Sequence, residues 1–171
     1  SSEMSSCYHP NLKKLKEDHV ERFTLKGADR YAKVLSVYDG DTCDVAFYRD
    51  ERMEDVVRYK CRMSGYDAPE LDDKPDGKLA RDYLAYLCTG GDSDNAGTDF
   101  FNPKKIWSKE ELQNKLDSSD SLVYAVFGRE GKYGRPVVTL YQTSSSGIVA
   151  PNIRVTMSIN DMMKEFIDQL G

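Results

Sequence analysis

The chain has 171 residues, 39% of them hydrophobic, which suffices for one well-packed domain and is too short for two ordinary ones. No stretch approaches the roughly 20 apolar residues of a membrane span, and no apolar block follows a basic start, so no spanning helix or signal peptide is visible. The net charge of −5 argues against a protein that grips nucleic acid by bulk attraction, although a site can still be locally basic.

Residues 1–28 read as an N-terminal extension. Leu12, Leu15, His19, Val20 and Phe23 fall roughly on one face between lysines, which predicts a helix docked on the domain with a solvated basic face. From Arg30 the pattern turns strand-like. Residues 31–38 alternate and end at Asp39-Gly40-Asp41, a turn signal. Residues 42–49 and 55–66 read as two further strands joined by the charged tip Asp50-Glu51-Arg52. Pro69 cannot donate to a ladder, so Asp67-Ala68-Pro69-Glu70 breaks the chain direction. A helix follows, with Leu79, Tyr83, Leu84 and Leu87 at helical spacing and Gly90-Gly91 as its stop.

Residues 91–120 read as an excursion. A polar loop runs to Asn102, and its stretch Asp92-Ser93-Asp94-Asn95-Ala96-Gly97 opens like an EF-hand loop. It fails at Ala96 and at Pro103, where ligands are required. Ser108 and Glu111 form a capping box, with Trp107 placed to staple onto Leu112. Residues 121–127 and 136–142 are the last clear strands. A Ser-rich loop at 143–147 and a short extended piece near Val155 lead to a final helix from about Asn160. Its apolar stripe is Met162, Met163, Phe166, Ile167 and Leu170. Strands with helices grafted on suggest an α+β architecture built on a β-barrel.

The cysteines Cys7, Cys43, Cys61 and Cys88 lack the paired spacing of a zinc site and read as reduced, partly buried thiols of an intracellular protein. If a hairpin turns near Arg52, Cys43 and Cys61 face each other across it, which leaves a disulfide open there.

Three stretches concentrate unusual residues: Asp39-Gly40-Asp41-Thr42, Arg62 to Glu70, and Lys132-Tyr133-Gly134-Arg135. Singly, each is an ordinary turn, strand exit or basic loop. Together they supply carboxylates for a hard cation, arginines for phosphate oxygens, and a further carboxylate able to take a proton from water. That combination suits phosphodiester hydrolysis.

In order and spacing these stretches resemble the signature of the staphylococcal nuclease (thermonuclease) family, over roughly residues 30–90 and 121–171. The resemblance implies a five-stranded OB-like β-barrel with packed helices, spanning residues 29–171 with an insertion at about 91–120. It implies calcium held by Asp41, Asp67 and the backbone carbonyl of Ala68, where the family usually has Thr. Glu70 would be the general base, Arg62 and Arg135 would hold the scissile phosphate, and Lys132 and Tyr133 would sit near the neighbouring phosphate. The implied activity is cleavage of the P–O5′ bond of DNA or RNA, leaving a 3′-phosphate, by a protein expected to act as a monomer away from membranes.

Some features depart from the family pattern. The hairpin between Asp41 and Arg62 is longer than usual. The family also continues, past the helix at which this sequence ends, into a tyrosine-bearing segment and a third helix. Either the sequence is cut there or the N-terminal helix fills that place. The rival reading is a non-catalytic binding module on the same barrel, which lacks an evident need for Asp41, Arg62, Asp67, Glu70 and Arg135 together. A hydrolase of small nucleotide diesters is a third possibility, and a purely structural domain would require coincidence at three loops.

Overall fold

The computed structural model describes residues 10–20, 24–91, 101–130, 134–143 and 157–171. Five strands make the barrel: β1 (Asp29–Asp39), β2 (Thr42–Tyr48), β3 (Val56–Met63), β4 (Val123–Glu130) and β5 (Pro136–Gln142). They close in the order β1-β2-β3-β5-β4, so no strand edge is left open, and the expected five-stranded OB-like barrel of α+β type is what the chain forms. Neighbours are antiparallel except β3 and β5, which pair in parallel only through Arg62 with Val137 and Met63 with Val138.

Strand alternation explains the core. On β2, Cys43, Val45 and Phe47 point inward, as Cys61 and Met63 do on β3; Ala125 and Phe127 of β4 and Val138 and Leu140 of β5 meet them there. Three helices pack on the barrel, α2 (Asp76–Cys88), α3 (Lys109–Ser118) and α4 (Ile159–Leu170), and the short α1 (Pro10–Lys13) precedes it in the chain. Helix α2 seals the barrel with Leu79, Leu84 and Leu87, and it ends where Gly90 adopts a φ of +93°.

The short parallel pairing of β3 with β5 is reinforced by a side chain. Asn160, in the first turn of α4, donates to the carbonyls of Ser64 (2.8 Å) and Val138 (3.0 Å) and accepts from the Leu140 amide (2.9 Å). It supplies the ladder bonds that the diverging strands cannot.

One expectation is not met among the described residues: the N-terminal segment is not a continuous docked helix. Helix α1 has four residues, a 3₁₀ turn follows at Glu17–His19, and Leu12, Leu15 and Val20 are 63%, 48% and 56% exposed. So short a helix is marginal without packing, and the lysines between these residues favour water. The described residues of this segment thus do not take the place of a packed helix, and the first core residue among the described ones is Leu25.

Residues 101–120, the described part of the stretch 91–120 read as an excursion, dock firmly on α2. Buried Arg81 and Asp82 of α2 clamp the Trp107 peptide: Arg81 Nη2 donates to its carbonyl and the Trp107 amide donates to Asp82 Oδ2, both at 2.8 Å. Ser108 caps α3 in the predicted box with Glu111, and Trp107 and Leu112 are both buried. Gln113 reaches Leu35 of β1. The EF-hand-like stretch 92–97 and the expected piece near Val155 lie outside the described residues.

Cys43 and Cys61 do face each other across the β2–β3 hairpin, as free buried thiols, and Cys88 is free and buried too. No helix among the described residues is long and apolar enough to cross a membrane.

Candidate active site

The turn between β1 and β2 is the foundation of the site. The Asp41 amide donates to Asp39 Oδ1 at 3.0 Å, so Asp39 shapes the turn, as expected. A Cβ on Gly40 would lie 2.7 Å from the Cβ atoms of both Ala68 and Ala80. Only glycine lets the turn lie flush between the chain leaving β3 and helix α2. Tyr66 fastens it from the other side, its hydroxyl donating to the Gly40 carbonyl at 2.6 Å. Burial pushes that hydroxyl well above its ordinary range, so it remains a donor.

Asp41 is 7% exposed and held by three donors. Thr42 Oγ1 donates to Oδ1 at 3.0 Å, the Ala68 amide donates to Oδ2 at 2.9 Å, and Arg62 Nη2 lies 3.4 Å from Oδ2. The Met63 amide donates to the Asp41 carbonyl at 2.8 Å. Two stretches more than 20 residues apart are thus stitched at one carboxylate. Arg62, opposite Thr42 in the β2–β3 register, also forms an ion pair with exposed Asp67.

Glu70 follows Pro69 with its side chain exposed. Its backbone is fixed: its carbonyl accepts from the Asp73 amide at 2.9 Å, and a Cβ on Gly77 would come within 1.9 Å of that same oxygen. Gly77 therefore lets the first turn of α2 press against the peptide that carries Glu70. Arg135 joins them, half-buried, just before β5.

These elements bring Asp41, Arg62, Asp67, Ala68, Glu70 and Arg135 to the wall of one cavity of about 280 Å³, which Asp39 and Thr42 complete. Six of the eight residues singled out by sequence are together. Lys132 and Tyr133 lie outside the described residues. A wider groove of about 550 Å³ adjoins the cavity, with Arg62 and Asp67 as the shared wall and Met63, Tyr66, Arg129 and Val137 beyond it.

The site mixes carboxylates with two guanidiniums, and Arg62 lies directly against Asp41 and Asp67. Burial, and then the adjacent Asp41 carboxyl, push the Asp39 carboxyl up to about 6. Carboxylates crowded away from water in this way are in deficit of positive charge, which Arg62 only partly supplies. The donor chemistry suits a hard cation: the carboxylates of Asp39, Asp41, Asp67 and Glu70 line the cavity, with neither thiolate nor imidazole. Among the described residues, no three acidic, Cys or His side chains gather into a metal-holding group, so water would have to complete the coordination.

Sequence reasoning assigned no role to Tyr66, Gly77 or Ala80, and saw Gly40 only as a turn former. Tyr66 lay within a stretch already singled out. The closeness of Gly77 to Glu70 had no signal in the sequence, because it depends on how α2 docks.

Comparison of the chain with models of known protein families, with curated proteins and with solved structures found no match.

Proposed function

We propose that the protein is a metal-dependent phosphodiester hydrolase acting on DNA or RNA, with calcium as its ion, as the resemblance to the staphylococcal nuclease family suggests. The observation that carries this reading is the convergence of three stretches, separated by tens of residues, on one cavity with acidic and guanidinium walls. A structural domain has no evident need for that convergence.

Asp41, Asp67 and the carbonyl of Ala68 would hold the ion, which when bound supplies neutralisation of phosphate charge and a held water. Arg62 and Arg135 would grip the phosphate from its other side. A guanidinium has five N–H donors in a fixed fork, so Arg62 can keep an aspartate contact while donating to phosphate. Its contacts to Asp41 and Asp67 also fix its orientation before substrate arrives, and donors already in place act most strongly as charge grows on the phosphate oxygens.

The Glu70 carboxylate would take a proton from water as the water oxygen bonds to phosphorus. The P–O5′ bond then breaks and O5′ departs, acquiring a proton from solvent, while the 3′-oxygen keeps the phosphate. Lys132 and Tyr133 would touch the neighbouring phosphate.

The test is cleavage of single-stranded DNA, double-stranded DNA and RNA with calcium, with magnesium and with chelator, alongside Glu70→Gln. Calcium-dependent cleavage that the substitution removes supports the proposal. A folded protein that cuts nothing under any condition would return the choice to a binding module on the same barrel.

A further inference from the structure

We infer that the outward face of β3 is a track for the phosphate backbone of a single-stranded nucleic acid, leading into the candidate site; this rests on the hydrolase reading above. Cys61 and Met63 point into the core at 0% and 1% exposure, so the alternate residues Arg58, Lys60 and Arg62 must face out. Successive outward positions on a strand lie roughly 6.7 Å apart. An extended nucleotide backbone covers a similar distance in one repeat. Three cations therefore stand in a row at phosphate-like spacing, and the last of them, Arg62, is part of the cavity wall.

The row is held in place from behind. Asp44, 5% exposed, accepts from Arg58 Nε at 2.8 Å and from the Tyr38 hydroxyl at 2.9 Å, and Arg58 Nη2 donates to Ser36 Oγ at 3.1 Å. The Arg58 side chain nonetheless stays 54% exposed, so its fork is oriented without being covered. Lys60 Nζ lies 4.3 Å from the centre of the Tyr38 ring, and that ring is itself 41% exposed. Cations that follow a backbone beside an open aromatic ring are the combination by which proteins hold single strands without reading their sequence.

Arg58 is ion-paired with Asp44, and Arg62 with Asp41 and Asp67, so the charge that the row adds beyond its carboxylates is that of Lys60.

The experiment measures binding of fluorescently labelled single-stranded oligonucleotides, from two to about ten nucleotides long, to the Glu70→Gln protein by anisotropy across a salt series. The same is done with Lys60→Ala, Lys60→Glu and Lys60→Arg added. Lys60 is exposed, and thermal melts confirm that each protein is folded. The track requires affinity that rises with length. It also requires that the slope of log affinity against log salt fall by about 0.7 in Lys60→Ala, which neutralises one phosphate fewer. Lys60→Glu should lower the affinity further, and Lys60→Arg should restore it.

Equal affinities and slopes in all four proteins overturn the track, as does competition by polyglutamate equal to that by unlabelled oligonucleotide, which would make the occupant an acidic peptide. The two readings separate cleanly. Glu70-dependent cleavage with an unchanged salt slope removes the track and keeps the hydrolase. A Lys60-dependent slope in a protein that never cleaves does the reverse.

Discussion

Asp41 and Glu70 line the same cavity but are anchored in opposite ways, and their substitutions should separate accordingly. Glu70 is exposed and only its backbone is fixed, so Glu70→Gln removes the proposed base without removing a support. Its cleavage rate is expected to fall about 10²–10⁴-fold with an unchanged melting temperature and intact calcium binding by calorimetry. Asp41 accepts from Thr42 and Ala68 and pairs with Arg62, so Asp41→Ala strands three donors and removes a proposed ligand. It should require far more calcium for half-maximal activity. Wild-type activity at ordinary calcium would mean the ion sits elsewhere. Arg62→Ala should lose cleavage as fully as Glu70→Gln while still binding calcium, because it removes a proposed phosphate donor rather than a proposed ion ligand.

Helix α2 positions the site through contacts that no side-chain chemistry announces. A Cβ at residue 77 would overlap the Glu70 carbonyl, a backbone atom that cannot swing aside. Gly77→Ala is expected to cost about 1–3 kcal/mol of stability by overpacking and to lower activity by moving Glu70, as urea unfolding and cleavage rates would show. Unchanged kinetics would mean that the position of Glu70 is set elsewhere. On the same helix, Arg81 and Asp82 satisfy each other and the Trp107 peptide while fully buried. Asp82→Ala leaves an unpaired buried guanidinium and should destabilise by about 3–5 kcal/mol. These two cases mark where sequence reading stops. The strands and the Ser108 cap were legible because alternation and capping are local patterns. The candidate site was legible because stretches that are ordinary singly together supply carboxylates and arginines, in an order that resembles a known family's. The clamp on Trp107 was not, since Arg81 and Asp82 look like ordinary solvated charges of a helix until a neighbouring segment covers them. The N-terminal segment misled for the converse reason: Leu12, Leu15 and Val20 have helical spacing, but spacing does not create a surface to dock on.

Closure of the barrel has a consequence for the protein's response to pH. Cys43 and Cys61 meet across the β2–β3 hairpin in the sealed interior, and Cys88 lies buried on α2. Burial pushes the thiols of Cys61 and Cys88 up to about 12 from an ordinary 9.0, and that of Cys43 well above it, because a thiolate cannot be solvated there. In the native protein these thiols should therefore resist alkylation at neutral pH. Below pH 9 they are protonated whether the chain is folded or not, and the pH has no purchase on them. Between 9 and 12 the unfolded chain releases protons that the folded chain keeps, so their contribution is fully present below about 9 and is lost as pH rises toward 12. Each thiol should cost about 1.4 kcal/mol per pH unit in that window. Urea unfolding at pH 8 and pH 10 measures the loss in the wild type and in Cys61→Ala/Cys88→Ala. The double variant starts less stable, because alanine leaves two small voids, but that deficit does not titrate. Its further loss between the two pH values should be smaller than the wild type's by about 2–3 kcal/mol. An equal loss in both proteins would show that water reaches these thiols, and with it that the barrel is not closed around them in solution.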